Sequence, residues 1–376
     1  MIKFLHSSDL HLAKPFGRFD EDLRARLREA RFEKIAGLAG AARAAGARFV
    51  LLAGDTFDAE TPTPLVVRHA LRAFAAENDI TWVILPGNHD SLAATDLWDR
   101  MVQQAPENVV LALTAQPIAL GDHILLLPAP PTARNPGRDL TEWMDNAEVP
   151  QGWSDRVRIG LAHGSIQGFG EDGENGIIAP DRPGRAGLDY LALGDWHGRL
   201  RVGSRCWYSG TPEADNFRHD DKAGALLVQI EKRGAEPLVE VLPTSRFSWR
   251  DIALDFRPGE DITARLASVF PASDARRATL ISLSIIGRLG ISERAELAGQ
   301  LSRMADDFSF FETELANLAI EQEAGALDHI DTGGALRAAA ESIAAASMDN
   351  ARSEAERKVS SAALARLYDY AMEQKT

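Results

Sequence analysis

Through the first part of the chain, short apolar runs alternate with stretches of helical spacing. Ile2-Lys3-Phe4-Leu5-His6 reads as a strand ending in Ser7-Ser8-Asp9. From about residue 20 to 46, Leu23, Leu27, Phe32, Ile35, Leu38 and Ala41 recur at the three- and four-residue steps of a helix. Arg48 to Ala53 is a second strand, stopped by Gly54-Asp55. A helix from about Leu65 to Ala76 follows, then a third strand, Thr81 to Pro86, stopped by Gly87-Asn88. This strand–helix rhythm predicts an α/β sheet built from βαβ units.

Further strands are predicted without long helices between them, at Val109 to Leu111, His123 to Leu127, Arg158 to Ala162, Tyr190 to Leu193, Arg205 to Tyr208 and Ala223 to Glu231. Ala129 to Arg138 reads as a loop, and Gly168 to Gly176, rich in glycine and acid, as a mobile one. A boundary is expected near Pro243-Thr244. Beyond it come a strand (Trp249 to Phe256), a helix (Ile262 to Phe270), a strand (Thr279 to Ile286), a helix (Ser292 to Met304) and a strand (Phe308 to Ile320). That order predicts a small α+β domain over 244–324. Residues 325–376 are expected to be a linker, Gly325 to Gly334, and alanine-rich helices at Ala335 to Met348 and Ser353 to Met372.

The 376 residues are 45% hydrophobic and 26% charged, which excludes a disordered chain. The one cysteine, Cys206, allows no internal disulfide. With no apolar leader run after Met1, the expectation is a reducing, cytoplasmic location. No run approaches the ~18 apolar residues of a membrane span. The net charge of -14 repels nucleic acid and anionic membranes, so a polyanionic substrate needs bound cations or a local basic patch.

Such cations have candidate ligands. Five short motifs each follow an apolar strand: Asp9-Leu10-His11, Gly54-Asp55-Thr56-Phe57-Asp58, Gly87-Asn88-His89-Asp90, His163-Gly164 and Gly194-Asp195-Trp196-His197-Gly198. Open α/β sheets place ligand sites outside the carboxyl ends of their strands, so these groups can converge on one crevice. Oxygen and imidazole donors without a thiolate suit Mn²⁺, Fe²⁺ or Zn²⁺ and not a closed structural zinc site. Each motif alone reads equally as a turn or a core histidine; the joint occurrence carries the functional reading.

The set resembles the calcineurin-like metallophosphoesterase superfamily, whose signature is Asp-x-His, Gly-Asp-x-x-Asp, Gly-Asn-His-[Asp/Glu], His and Gly-His-x-His. The match covers roughly residues 1–240. It implies a four-layer α/β/β/α sandwich around a two-metal centre over residues 1–243, with the small α+β domain as a cap and a C-terminal helical tail. Within the superfamily, Phe4 to Leu12, Gly54 to Asp58 and Tyr208-Ser209-Gly210-Thr211-Pro212 are most similar to SbcD/YhaO-type DNA repair exonuclease subunits.

The resemblance implies that Asp9, His11, Asp55 and His197 hold one metal. Asp55, Asn88, His163 and Asp195 would hold the other, with Asp55 bridging. Mn²⁺ is the first expectation, with Fe²⁺, Zn²⁺ or Mg²⁺ as alternatives. A bridging hydroxide would attack phosphorus in a DNA phosphodiester. His89 would assist the leaving oxygen, and Asp58 would orient His89 by accepting its other ring N–H. A helix N-cap is the alternative role for Asp58. The chain departs from the pattern in one place: Asp195 stands where the family has histidine, which adds a harder, anionic ligand.

The resemblance also implies a partner, an SbcC-like coiled-coil ABC ATPase. Leu336, Ala339, Ala340 and Ile343, with Ala355, Val359, Ala362, Ala363 and Leu367, form the stripes expected to dock it. A homodimer is an alternative assembly. Competing functions are a small-molecule phosphodiesterase or phosphatase on the same scaffold, and a non-catalytic scaffold for the ATPase. Arg18, Arg24, Arg26, Arg28 and Arg31 read as a solvated helix face or as phosphate contacts. Trp196 reads either as packing of the site floor or as a stacking platform. Cys206 reads as inert core.

Overall fold

Strands built almost wholly of apolar residues, such as Phe49–Ala53, need cover on both faces, and the first sheet has it. The computed structural model describes residues 1–168, 177–219, 223–321, 330 and 334–373. Its first strands are β1 (Ile2–Ser7), β2 (Phe49–Ala53), β3 (Thr81–Leu85) and β4 (Val109–Leu111). Along them, alternate residues separate cleanly. Leu5, Val50, Leu52, Trp82 and Ile84 face α1 (Glu21–Ala45), α2 (Pro64–Ala76) and α3 (Thr95–Gln104). Phe4, Leu51, Ala53, Val83 and Leu85 face the second sheet. The period of two is that of a pleated strand. Asp20 caps α1 by accepting from the Leu23 N–H at 2.9 Å, and Gly46 ends it at φ 70°.

The second sheet contains β5 (Ile118–Leu120), β6 (Ile124–Ala129), β7 (Val157–His163), β8 (Tyr190–Gly194), β9 (Leu200–Gly203) and β10 (Cys206–Tyr208). Its order is β5-β6-β7-β8-β10-β9, and β6, β7, β8 and β10 run parallel. The first sheet is completed by β11 (Ala225–Ile230) and β12 (Leu238–Leu242), in the order β12-β11-β1-β2-β3-β4. Outside the second sheet lie a 3₁₀ turn at Glu142–Asn146, the short helix α4 (Arg182–Arg185) and irregular chain, packed through Met144, Ile166, Ile178 and Leu188. The unit Met1–Phe247 is therefore the expected four-layer α/β/β/α sandwich, with a thin outer layer. Helix α3 occupies a stretch that the sequence pattern leaves without a long helix.

The second unit, Ser248–Thr376, is described by itself. It has β13 (Ser248–Phe256), α5 (Ile262–Val269), α6 (Ser273–Arg276), β14 (Thr279–Gly290), α7 (Ile291–Ala305) and β15 (Phe310–Glu321). The strands pair in parallel in the order β13-β14-β15. Helices α8 (Gly334–Met348) and α9 (Glu354–Glu373) pack Ala340, Ala344, Leu364 and Tyr368 with Ile291. Of the expected docking stripe, Ala340 is buried, whereas Leu336 and Val359 are exposed. Apart from Gly168, Ile330 and Gly334, the acidic glycine loop at Gly168 to Gly176 and the linker at Gly325 to Gly334 lie outside the described residues.

Candidate metal centre

Each candidate residue sits at a strand's carboxyl end. Asp9, Asp55 and Asn88 follow the parallel strands β1, β2 and β3; His163 ends β7, and Asp195 and His197 follow its parallel neighbour β8. The turns are unusual. Asp9, His11, Asp55 and Asp195 have φ of 54°, 42°, 53° and 105°, in the left-handed region that side chains seldom adopt. Such strain persists only where the surroundings impose it, and it concentrates at functional sites. Here Arg31 supplies part of the restraint. Its fully buried guanidinium donates to the carbonyls of Asp9 (3.2 Å) and Leu10 (2.6 Å). Arg31 is thus neither a solvated residue nor a phosphate contact.

The ligand atoms of Asp9, His11 and His197 lie within 4.8 Å of one another, and so do those of Asp9, Asp55 and His163. Asp55 divides its carboxylate between two histidines. Its Oδ1 is 3.6 Å from His163 Nε2, and its Oδ2 is 3.5 Å from His11 Nε2. Asp195 Oδ1 is 3.7 Å from His163 Nε2 and accepts from Asn88 Nδ2 at 2.9 Å. The seven residues expected to bind metal are therefore in one place.

The donor atoms fit a pair of divalent cations. His163 Nδ1 donates to the Ala53 carbonyl at 2.8 Å, so in the neutral ring the lone pair is on Nε2; this atom is buried and has no hydrogen-bond partner among the described residues. Asn88 Oδ1 is likewise buried without a partner among the described residues. His197 Nδ1 is hydrogen-bonded to the Asp215 carboxylate at 3.1 Å, whereas His11 Nδ1 lies 3.1 Å from Asp58 Oδ1 without forming a hydrogen bond. The two Nε2 atoms meet at 3.1 Å, a contact that a shared proton or a cation satisfies.

The electrostatics have the same sense. Burial alone would lower the His163 imidazole, yet Asp55, Asp195 and Asp9 push it up to about 9. His197 is also raised, against its burial, chiefly by Asp215. Asp215 is held well below the carboxylate range, against its burial, by His197, Arg31 and Lys14. His11 is lowered by burial and then by His197. The carboxylates thus hold protons on imidazoles where a cation would otherwise balance their charge.

Asp58 departs from expectation twice. His89 Nδ1 meets the Asp58 backbone carbonyl at 3.0 Å, while the Asp58 carboxylate is turned to His11. It does not cap α2 either; Thr63 does. The side chains of His11, Asp58 and His89 form a third close group, again within 4.8 Å. Trp196 is half-buried against the outer cluster of the second sheet, which is packing. Cys206 is buried in β10, its thiol pushed up to about 12 by burial, as inert core should be. Asp215 is the residue that the motifs do not mark. It lies four residues past the Thr211 of the Tyr208-to-Pro212 segment, and that proximity is its only sequence signal.

A family model described as calcineurin-like phosphoesterase matches residues 2–227. The uncharacterized metallophosphoesterase YhaO of Bacillus subtilis (strain 168) is 24% identical over 283 residues, covering 70% of this chain. The chain spans 65% of that relative's length. Among solved structures, TT1561 of Thermus thermophilus matches with a TM-score of 0.40 and 10% identity, over 64% of this chain and 98% of that one. Purple acid phosphatase PPD1 from yellow lupin seeds matches at 0.40 and 12%, over 65% and 51%. A dimetal phosphatase from Danio rerio matches at 0.36 and 12%, over 64% and 99%.

Proposed function

Since this chain belongs to the calcineurin-like phosphoesterase family, we propose that it is a two-metal phosphodiesterase, with Mn²⁺ as the favoured ion, and that its substrate is DNA. The observation that carries the hydrolytic reading is the Asp55 carboxylate, whose two oxygens each approach a different histidine. One shared anion between two cations offsets their repulsion. When bound, the cations supply Lewis-acid stabilisation of charge on phosphoryl oxygens and acidify water.

The protein's own residues do the rest. His163 and His197 are held through Nδ1 and present Nε2, and His11 presents Nε2 beside them. Asn88 is oriented by donating to Asp195. His89 Nδ1 must carry its proton, because its partner, the Asp58 carbonyl, only accepts. His89 Nε2 is then the nitrogen placed to pass a proton to the leaving oxygen. One P–O bond forms to a water oxygen, whose own proton leaves to solvent, and one breaks to the leaving oxygen, which takes up a proton.

What supports DNA over a small diester is that Phe4 to Leu12, Gly54 to Asp58 and Tyr208 to Pro212 resemble SbcD/YhaO-type subunits. The net charge of -14 makes unaided DNA binding poor, so the reading includes a cytoplasmic assembly with a coiled-coil ABC ATPase.

The test is hydrolysis of an oligonucleotide and of bis-p-nitrophenyl phosphate by chelator-stripped protein reloaded with Mn²⁺. Both should turn over, and Asp55→Asn should lose at least about a hundredfold. Cleavage in excess chelator, or full activity of Asp55→Asn, sinks the two-metal reading. Turnover of the nitrophenyl diester with an intact oligonucleotide sinks the DNA half.

A further inference from the structure

In the second unit, β14, α7, β15, α8 and α9 line an open cleft of about 870 Å³. Among the described residues, Arg288, Arg294, Arg357 and Lys358 line it against one carboxylate, Glu354, a charge opposite to that of the chain. On α9, residues 354, 357, 358, 361 and 362 all line the cleft, the i, i+3, i+4, i+7 and i+8 positions of one helical face. Glu354 pairs with Lys358 at 3.1 Å. Arg357 donates to Asn350 Oδ1, a neutral acceptor, Arg294 donates to the Leu318 carbonyl, and Arg288 has no hydrogen bond or ion pair among the described residues. The floor is apolar, with Leu315, Ala316, Ala319 and Ala362, and Ser347 and Ser361 add hydroxyls.

A concave surface focuses the field of its charges, and guanidinium forks match phosphate oxygens two at a time. An apolar floor has no use for a bare anion but suits the face of a base. We infer that this cleft binds a phosphate-bearing ligand of the nucleotide class, with Arg288, Arg294, Arg357 and Lys358 on its phosphates and its base against Leu315, Ala319 and Ala362. A free nucleotide and a nucleic-acid strand present the same chemistry here. The inference does not depend on which diester the metal centre cleaves.

The experiment uses the full chain in excess chelator, so that no metal-held phosphate contributes. The probe is a fluorescein-labelled single-stranded oligonucleotide, with ATP and inorganic pyrophosphate as competitors. Arg288 and Lys358 are exposed, so Arg288→Glu/Lys358→Glu leaves the core untouched. It should weaken oligonucleotide binding at least about tenfold and lower the salt slope by ~1 per lost contact. Its Mn²⁺-dependent diester hydrolysis should match wild type, which separates this inference from the hydrolytic one. Displacement by ATP but not pyrophosphate identifies a free nucleotide as a sufficient ligand; resistance to both identifies a strand. Acetylation of Lys358, read by mass spectrometry, should fall when the probe is bound. Absent binding, displacement by pyrophosphate as readily as by ATP, equal affinity in the double variant, or unprotected Lys358 overturns the inference.

Discussion

Two histidines of the centre, His163 and His197, have Nδ1 hydrogen-bonded to a protein oxygen, and that decides what Nε2 can do. For His197 the oxygen belongs to Asp215, itself anchored by Lys14 at 2.6 Å and Arg31 at 2.9 Å. A carboxylate behind a metal-binding imidazole sets its tautomer and its basicity. Asp215→Asn should therefore weaken cation binding by about 10- to 100-fold, and Asp215→Glu should recover part of it. Calorimetric titration with Mn²⁺ reads this without any assay of turnover. Equal affinity in Asp215→Asn would remove Asp215 from the centre. For His163 the consequence is a pH dependence. Its folded pKa of about 9 lies above the ordinary 6.5, so the stability it contributes is complete below 6.5 and is lost as pH rises through 9. His6, buried and lowered to about 3, acts with the opposite sign below 6.5, and Asp90, raised to about 7 by its burial, acts mainly below 7. Chelated protein should thus melt at progressively lower temperature between pH 6.5 and 9. Mn²⁺, which displaces the proton, should flatten that fall. A chelated protein with the same Tm across the window contradicts the carboxylate field around His163.

At the scale of elements, the centre is a set of turns held at close quarters. A Cβ on Gly87 would stand 2.0 Å from Asp55 Oδ1 and 2.3 Å from the Asp55 nitrogen. Gly87→Ala therefore has to displace Asp55. Since a misplacement of ~1 Å can cost about 10²-fold, a loss of that order in hydrolysis is expected, with metal content reduced as measured by mass spectrometry. Normal metal content and turnover would show that the turn relaxes without moving Asp55. Asp90 ties the same turn to its neighbour by accepting from the Gly87 and Phe57 N–H groups at 2.6 and 2.9 Å. This level of structure was partly legible. The buried strands β1, β2 and β3 read directly as apolar runs, because both faces are covered. Helix α3 did not, since Ala94 offers no side-chain cap and its three buried residues are few. The strands β5, β9 and β12 are short or at sheet edges, and Leu238 and Val241 of β12 are exposed. The motifs marked residues that face the centre but not those behind them. Arg31 and Asp215 carry ordinary surface chemistry in sequence, and only the fold buries them as a pair behind His197; Asp58, which the motifs do mark, is aimed by the fold at His11.

At the scale of the whole molecule, hydrolysis and retention of a long polyanion make separable demands. The unit Met1–Phe247 contains all the candidate ligands, and three apolar clusters lie on either side of its two sheets. A unit with its own core and its own site is expected to fold alone. Residues 1–247 should then bind Mn²⁺ and hydrolyse bis-p-nitrophenyl phosphate within about threefold of the full chain, because a small diester needs only the metal centre. An oligonucleotide is different. It carries a charge at every phosphate, and the chain as a whole, at -14, repels it. The four cations of the second-unit cleft are absent from the fragment, so cleavage of an oligonucleotide should fall at least about tenfold, and the loss should be greatest at low salt, where electrostatic attraction counts most. Parallel assays of fragment and full chain on both substrates, across salt concentration, measure the two demands separately. If the fragment cleaves the oligonucleotide as well as the full chain does, the second unit has no part in holding it. If the fragment is folded but inactive on the small diester, the centre depends on more than the residues gathered at its strand ends.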